Sequence, residues 1–108
     1  MPKQDALQGT LPLLVLTILA RRGPLHGYGI TAQIAALTDE LRVEEGSLYP
    51  ALHRMEEAGW IAARWSTTET GRRARIYELT NQGRQQLGAE EARWRAVTAA
   101  VGHVLKHA

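Results

Sequence analysis

EGSLYPALHRMEEAGWIAARW, residues 45–65, decides the fold. Leu48, Leu52 and Met55 stand at i, i+4 and i+7 and share one helical face, whereas Tyr49, His53 and Arg54 fall outside it. One face packs and the other is left to meet a partner. Gly59 stands where a left-handed residue ends a helix. Directly after it, Ile61, Ala63 and Trp65 alternate with Ala62, Arg64 and Ser66, the pattern of a half-buried strand. The hydrophobic period therefore changes from helical to extended across Gly59 and Trp60.

Toward the amino end, Thr10 is placed to cap a first helix, with Pro12 tolerated in its first turn. Leu11, Leu14, Val15, Ile18 and Leu19 form its apolar stripe, and Gly23 with Pro24 ends it. The apolar run Leu11–Ala20 is followed directly by Arg21 and Arg22 with no small-residue cleavage site, and it is half the roughly twenty residues a membrane span needs. It reads as a buried helix. In HGYGI two glycines flank a tyrosine, and Ile30, Ile34 and Leu37 then repeat at helical spacing. A short second helix is expected from about Tyr28 to Leu37, its glycines packed close to a neighbour. Thr38 to Glu45 turns the chain into the third helix. Pro50 lacks an amide hydrogen and belongs near a helix start, so that helix is expected to begin at Gly46 or Ser47, with Ser47 as N-cap.

Toward the carboxyl end, TTETGRR reads as a flexible cationic tip, and Ala74 to Leu79 as an antiparallel returning strand. Thr80 then caps a long last helix, where Leu87, Trp94 and Val101 recur every seventh residue with Val97 and Val104 between them. This seam is expected to pair with a second copy of the chain, because the other elements already enclose one core. The expected fold is mostly α with a small β-hairpin: a winged helix-turn-helix over residues 1–80, then a C-terminal dimerisation helix over residues 81–108.

A chain of 108 residues is long enough for one modest core. Its 44% hydrophobic and 22% charged content is that of a soluble globular protein. With no cysteine, disulfides, thiolate metal sites and cysteine nucleophiles are excluded, and a reducing cytoplasm is the expected compartment. Neither GYG nor ETGRR has the spacing of a phosphate-binding loop. Of the four histidines only His103 and His107 share a helical face, at a frayed end where solvated cations are the plainer reading than a metal site. The adjacent pairs Glu44/Glu45, Glu56/Glu57 and Glu90/Glu91 diverge on a helix and cannot converge on one bond. No enzyme, cofactor, metal site or membrane partner is expected.

A net charge of +2 is only mildly basic, so placement of charge matters more than its sum. His53 and Arg54 lie on the free face of the third helix, and Arg72, Arg73 and Arg75 cluster at the hairpin. A helix about 10–12 Å across fits the major groove of a duplex, and a basic hairpin beside it reaches phosphates or the minor groove. Ser47 and Tyr49 offer hydroxyls to the backbone, while Glu44 and Glu45 either serve the helix dipole or accept from cytosine. Trp94 reads in two ways, as filler of the seam or as the wall of a pocket between two copies that Arg93 and Arg95 would rim. The competing function is accordingly a multidrug- or aromatic-ligand-binding helical dimer whose DNA contact is incidental.

The chain resembles the PadR family of transcriptional regulators, in the short class with one dimerisation helix. The resemblance rests on LPLLVLTILARRGPLHGYGI, EGSLYPALHRMEEAGWIAARW and RRARIYELTNQGRQQL. It implies a homodimeric repressor whose two third helices read successive major grooves of an inverted-repeat operator. It also implies that Ser47, Tyr49, Pro50, His53 and Arg54 form the DNA-facing segment, and that Arg72, Arg73 and Arg75 form the wing. Leu87, Trp94, Val97, Val101 and Val104 fall in the dimer helix, where a drug-binding member of the family carries a tryptophan facing the central pore. An aromatic small-molecule effector is the implied partner of Trp94.

Overall fold

A computed structural model describes residues 3–108, with side chains from residue 9 onward. The first helix, α1, spans Lys3–Arg22 and is followed by a two-residue strand β1, Leu25–His26. Helices α2 (Gly27–Leu37) and α3 (Glu45–Glu57), the hairpin β2 (Ile61–Thr67) and β3 (Arg73–Leu79), and helix α4 (Asn81–His107) complete the chain.

α1 begins before Thr10 and carries Pro12 inside it, so the expected cap at Thr10 is not where the helix starts. The proline forgoes one backbone bond, but Leu11, Val15 and Leu16 are wholly buried and Ile18 and Leu19 nearly so. Burial of that stripe outweighs the local loss. α1 is the central rod of the core, packing against α2, α3, α4 and β3. Gly23 ends it at φ +82°, with its amide donating to the Leu19 carbonyl at 3.0 Å.

β1 pairs antiparallel with β3, Leu25 opposite Tyr77 and His26 opposite Ile76, giving a three-stranded sheet in the order β1-β3-β2. Two residues show no alternation, and this strand was not expected from sequence. His26 also caps α2, its Nδ1 accepting from the Gly29 amide at 2.9 Å. The close packing expected of the glycines is present at Gly27, where a Cβ would lie 2.6 Å from the Tyr49 hydroxyl.

α3 starts one to two residues earlier than expected. Its N-cap is Glu44, not Ser47, because the Ser47 and Leu48 amides both donate to the Glu44 carbonyl, at 3.0 and 2.9 Å. Pro50 thus sits in the second turn, and the carbonyl it leaves unpaired belongs to the exposed Gly46, where water reaches it. The other end closes as expected. Trp60 donates to the Met55 carbonyl and Gly59 to that of Glu56, both at 3.0 Å, with Gly59 at φ +84°. This is a Schellman turn, and it aims the chain into β2.

The hairpin register runs from Ile61↔Leu79 to Thr67↔Arg73. Residues 61, 63, 65 and 67 share a face with their partners 79, 77, 75 and 73. Ile61 and Tyr77 on that face are buried, but Trp65 is 59% exposed because the strands outrun the core. The expected half-buried alternation therefore holds only at the core end. The tip is closed by local hydrogen bonds. Thr68 exchanges backbone and side-chain bonds with Gly71 and Arg72, and Gly71 takes φ +83°.

Thr80 caps α4, its hydroxyl accepting from the Gly83 amide at 3.0 Å and donating to the Gly59 carbonyl at 2.6 Å. Leu87 packs on the core and Glu90 is buried, accepting from Gln86 Nε2 at 3.0 Å and pairing with Arg93. From residue 92 onward every position is exposed. α4 thus leaves the packed body as a free rod.

Candidate nucleic-acid interface

α3 is seated by Leu48, Ala51, Leu52 and Met55, all buried. That anchoring turns Tyr49, Pro50, His53 and Arg54 outward, while Ser47 is half-buried. His53 Nε2 lies 3.2 Å from Glu57 Oε1, one turn on, in a pair that is exposed on both sides. The Arg54 guanidinium has no hydrogen-bond or ion-pair partner among the described residues.

Across from this helix stands the inner face of the hairpin. Arg72 and Arg73 are exposed, and the Arg73 guanidinium lies 5.1 Å from the centroid of Trp65. Arg75 is placed differently. Its Nη2 donates to Glu56 Oε2 of α3 at 2.8 Å, and its guanidinium lies 5.9 Å from the ring centroids of both Trp65 and Tyr77. Burial pushes the Tyr77 hydroxyl above its ordinary value of 10.0, partly offset by the neighbouring Arg75 charge.

Helix and hairpin enclose an open groove of about 1080 Å³. Tyr49, His53 and Glu56 line one wall, Trp65, Arg72, Arg73 and Arg75 the other, and His26 and Tyr28 close the end. Of the residues singled out from sequence, five meet in this groove: Tyr49, His53, Arg72, Arg73 and Arg75. Ser47, Pro50 and Arg54 lie on α3 outside its lining. Sequence reasoning missed His26, Tyr28, Glu56 and Trp65 as groove residues. Trp65 was signalled by its register with the arginines. Glu56 was not, since its partner is 19 residues away.

The seam residues are divided by the fold. Leu87 packs against its own chain's core, whereas Trp94, Val97, Val101 and Val104 are between 49% and 61% exposed. Arg93 and Arg95, expected to rim a pocket, pair with Glu90 and Glu91 on their own helix. The rings of His103 and His107 stand 4.3 Å apart, and no group of three or more potential metal ligands occurs among the described residues. No described helix is long and apolar enough to cross a membrane.

Residues 15–89 match the family described as "Transcriptional regulator PadR-like family". The chain belongs to this family. The matched span takes in the wing and the first turns of α4, and the family comprises transcriptional regulators, not enzymes. The fold is close to that of a PadR family transcriptional regulator from Eggerthella lenta, with a TM-score of 0.81 at 29% identity over 96% of this chain and 88% of that one. A transcriptional regulator from Clostridium thermocellum gives 0.82 at 28% identity, covering 92% of this chain and 96% of its own. A transcriptional regulator of Mycobacterium tuberculosis is 35% identical over 63 residues, or 58% of this chain. That match spans 56% of the relative's length.

Proposed function

We propose that this PadR-like chain binds double-stranded DNA as a homodimer and represses transcription from an inverted-repeat operator. The observation that carries this reading is the single groove shared by the outward face of α3 and the exposed wing arginines. With α3 in the major groove, one sugar-phosphate strand passes between helix and wing. Arg72 and Arg73 then meet phosphates, and His53 and Arg54 reach base edges. The Tyr49 and Ser47 hydroxyls are donors to the backbone.

The exposed apolar face of distal α4 supports pairing of two copies, since Trp94, Val97, Val101 and Val104 remain uncovered on a single chain. Two-fold pairing sets the recognition helices about one turn of the duplex apart, roughly 34 Å. A dimer held there occludes the promoter. Trp94 gives specific support to a second element, release by a flat aromatic compound stacked between the copies.

Binding of a promoter fragment is tested by titration at rising salt. Affinity should fall steeply between about 50 and 200 mM, as phosphate-bound cations are displaced. A flat response, or no binding to any fragment from the chain's own upstream region, refutes the proposal. Quenching of tryptophan fluorescence by flat aromatics, unaltered in a Trp94→Ala variant, removes the pocket but not the DNA site.

A further inference from the structure

Resting on that reading of the groove, the geometry points to Glu56 and Arg75 as positioning residues: together they hold the wing at a set distance from α3, and neither is a DNA ligand. Arg75 was singled out from sequence as one of three equivalent wing cations. The structure separates it from the other two. Arg72 and Arg73 are exposed, whereas Arg75 is engaged by a carboxylate and flanked by two aromatic rings, with its Nε buried. Its Nη2 is committed to Glu56, so a phosphate contact through that nitrogen would break the ion pair.

The location of the pair on the hairpin gives it its role. Arg75 is the register partner of Trp65. On the core side of this step, Ile61 and Tyr77 are buried and hold the strands down. On the tip side, Trp65 and Arg73 are exposed, with the Arg73 and Arg75 guanidinium groups 5.1 and 5.9 Å from the centroid of the Trp65 ring. The ion pair therefore stands at the fulcrum where the wing leaves the core. On the helix side, Tyr49, His53 and Glu56 stand at i, i+4 and i+7, so the fastening lies on the same face that lines the groove. A bare carboxylate in that position would repel a polyanion. Pairing with Arg75 neutralises it, and its presence is explained by the tether.

Two contact elements fixed relative to each other engage the duplex without first losing freedom of the hinge. Release of the tether thus weakens binding even when it removes a negative charge. That sign is the test.

The full-length chain is titrated with a labelled duplex enriched on the wild type from a random pool, and with a scrambled duplex of equal length. Glu56→Ala, at a helical position that alanine suits, should weaken the enriched duplex by roughly threefold to tenfold and the scrambled one less. Arg75→Gln, which also bares the Glu56 carboxylate, should weaken it at least as much while leaving the salt slope unchanged, and the double variant should be no worse than either single one. Tighter or equal binding by Glu56→Ala overturns the inference. So does a slope reduced by about one in Arg75→Gln, which would make Arg75 a phosphate ligand. If the wild type binds neither duplex, the reading of the site fails separately, and the tether is judged without DNA. Amide relaxation at Gly71 should then show a more mobile tip in both variants, and an unchanged tip overturns it.

Discussion

Gly83 is the position at which a single methyl group should most damage the junction between the winged body and α4. It lies in the first turn of that helix and is buried. A Cβ there would stand 2.0 Å from the Trp60 carbonyl oxygen, 3.0 Å from the Trp60 carbonyl carbon and 2.7 Å from Leu79 Cδ1. Helix propensity alone favours alanine over glycine by about 0.5–1 kcal/mol. The clash runs the other way, and it is against backbone, so no rotamer relieves it. To restore contact distance α4 must lift by about an ångström, which strains the bond from the Thr80 amide to the Trp60 carbonyl at 3.1 Å and that from the Thr80 hydroxyl to the Gly59 carbonyl. Two hydrogen bonds at about 1 kcal/mol each, with about 1–3 kcal/mol of overpacking, exceed the propensity gain. Gly83→Ala should therefore destabilise by about 2–4 kcal/mol. Gly88, one and a half turns on, has nothing within 4 Å of its would-be Cβ and is exposed. Gly88→Ala should stabilise by about 0.5–1 kcal/mol. Urea unfolding of both variants at one protein concentration measures the contrast, since pairing of copies makes stability concentration-dependent. If Gly83→Ala unfolds at or above the wild-type midpoint, α4 is not docked through this turn.

Replacing both Arg72 and Arg73 with alanine should weaken enriched and scrambled duplexes alike and lower the salt slope by about two; an unchanged slope would show that the wing does not meet phosphate. Tyr77 should ionise above its ordinary value of 10.0, so its contribution to stability is fully present below about pH 10 and declines as pH rises toward the folded-state value. Absorbance near 295 nm checks this, and completion of the whole phenolate signal around pH 10 with no later component counts against it. Val101→Glu places a charge in the exposed apolar face of α4 and should shift sedimentation toward the 12.0 kDa monomer, whereas a species insensitive to the substitution argues that the copies do not pair there.

Residues that act through local periodicity were readable in advance. The stripe of α1, the packed face of α3, the left-handed Gly59 and the Thr80 cap all depend on neighbours within a turn or two, and each stands as expected. What escaped was set by tertiary contact. Burial of Leu11 carried α1 through Pro12, and the Glu44 carbonyl began α3 ahead of Ser47. β1 exists only because β3 offers it an edge, and two residues carry no period. At the candidate site the outward residues of α3 were readable as the complement of its packed face. The separation of Arg75 from Arg72 and Arg73 was not, because it depends on a carboxylate from another element.

The hairpin joins the two halves of the molecule's logic on one face. Because side chains alternate along a strand, residues 61, 63, 65 and 67 must all point the same way, and the register fixes their partners. At the base that face is core, with Ile61 and Tyr77 buried against α1 and α3. Two steps further it is groove wall, with Trp65 and Arg73 facing outward-turned Tyr49 and His53. A one-residue slip would expose Ile61 and also turn the arginines away from α3, so stability enforces the register that the interface requires. The wing's aim is thereby a by-product of packing its base. The part of the hairpin not held by burial is the overhang from Trp65 outward, and there the ion pair to α3 takes over from the core.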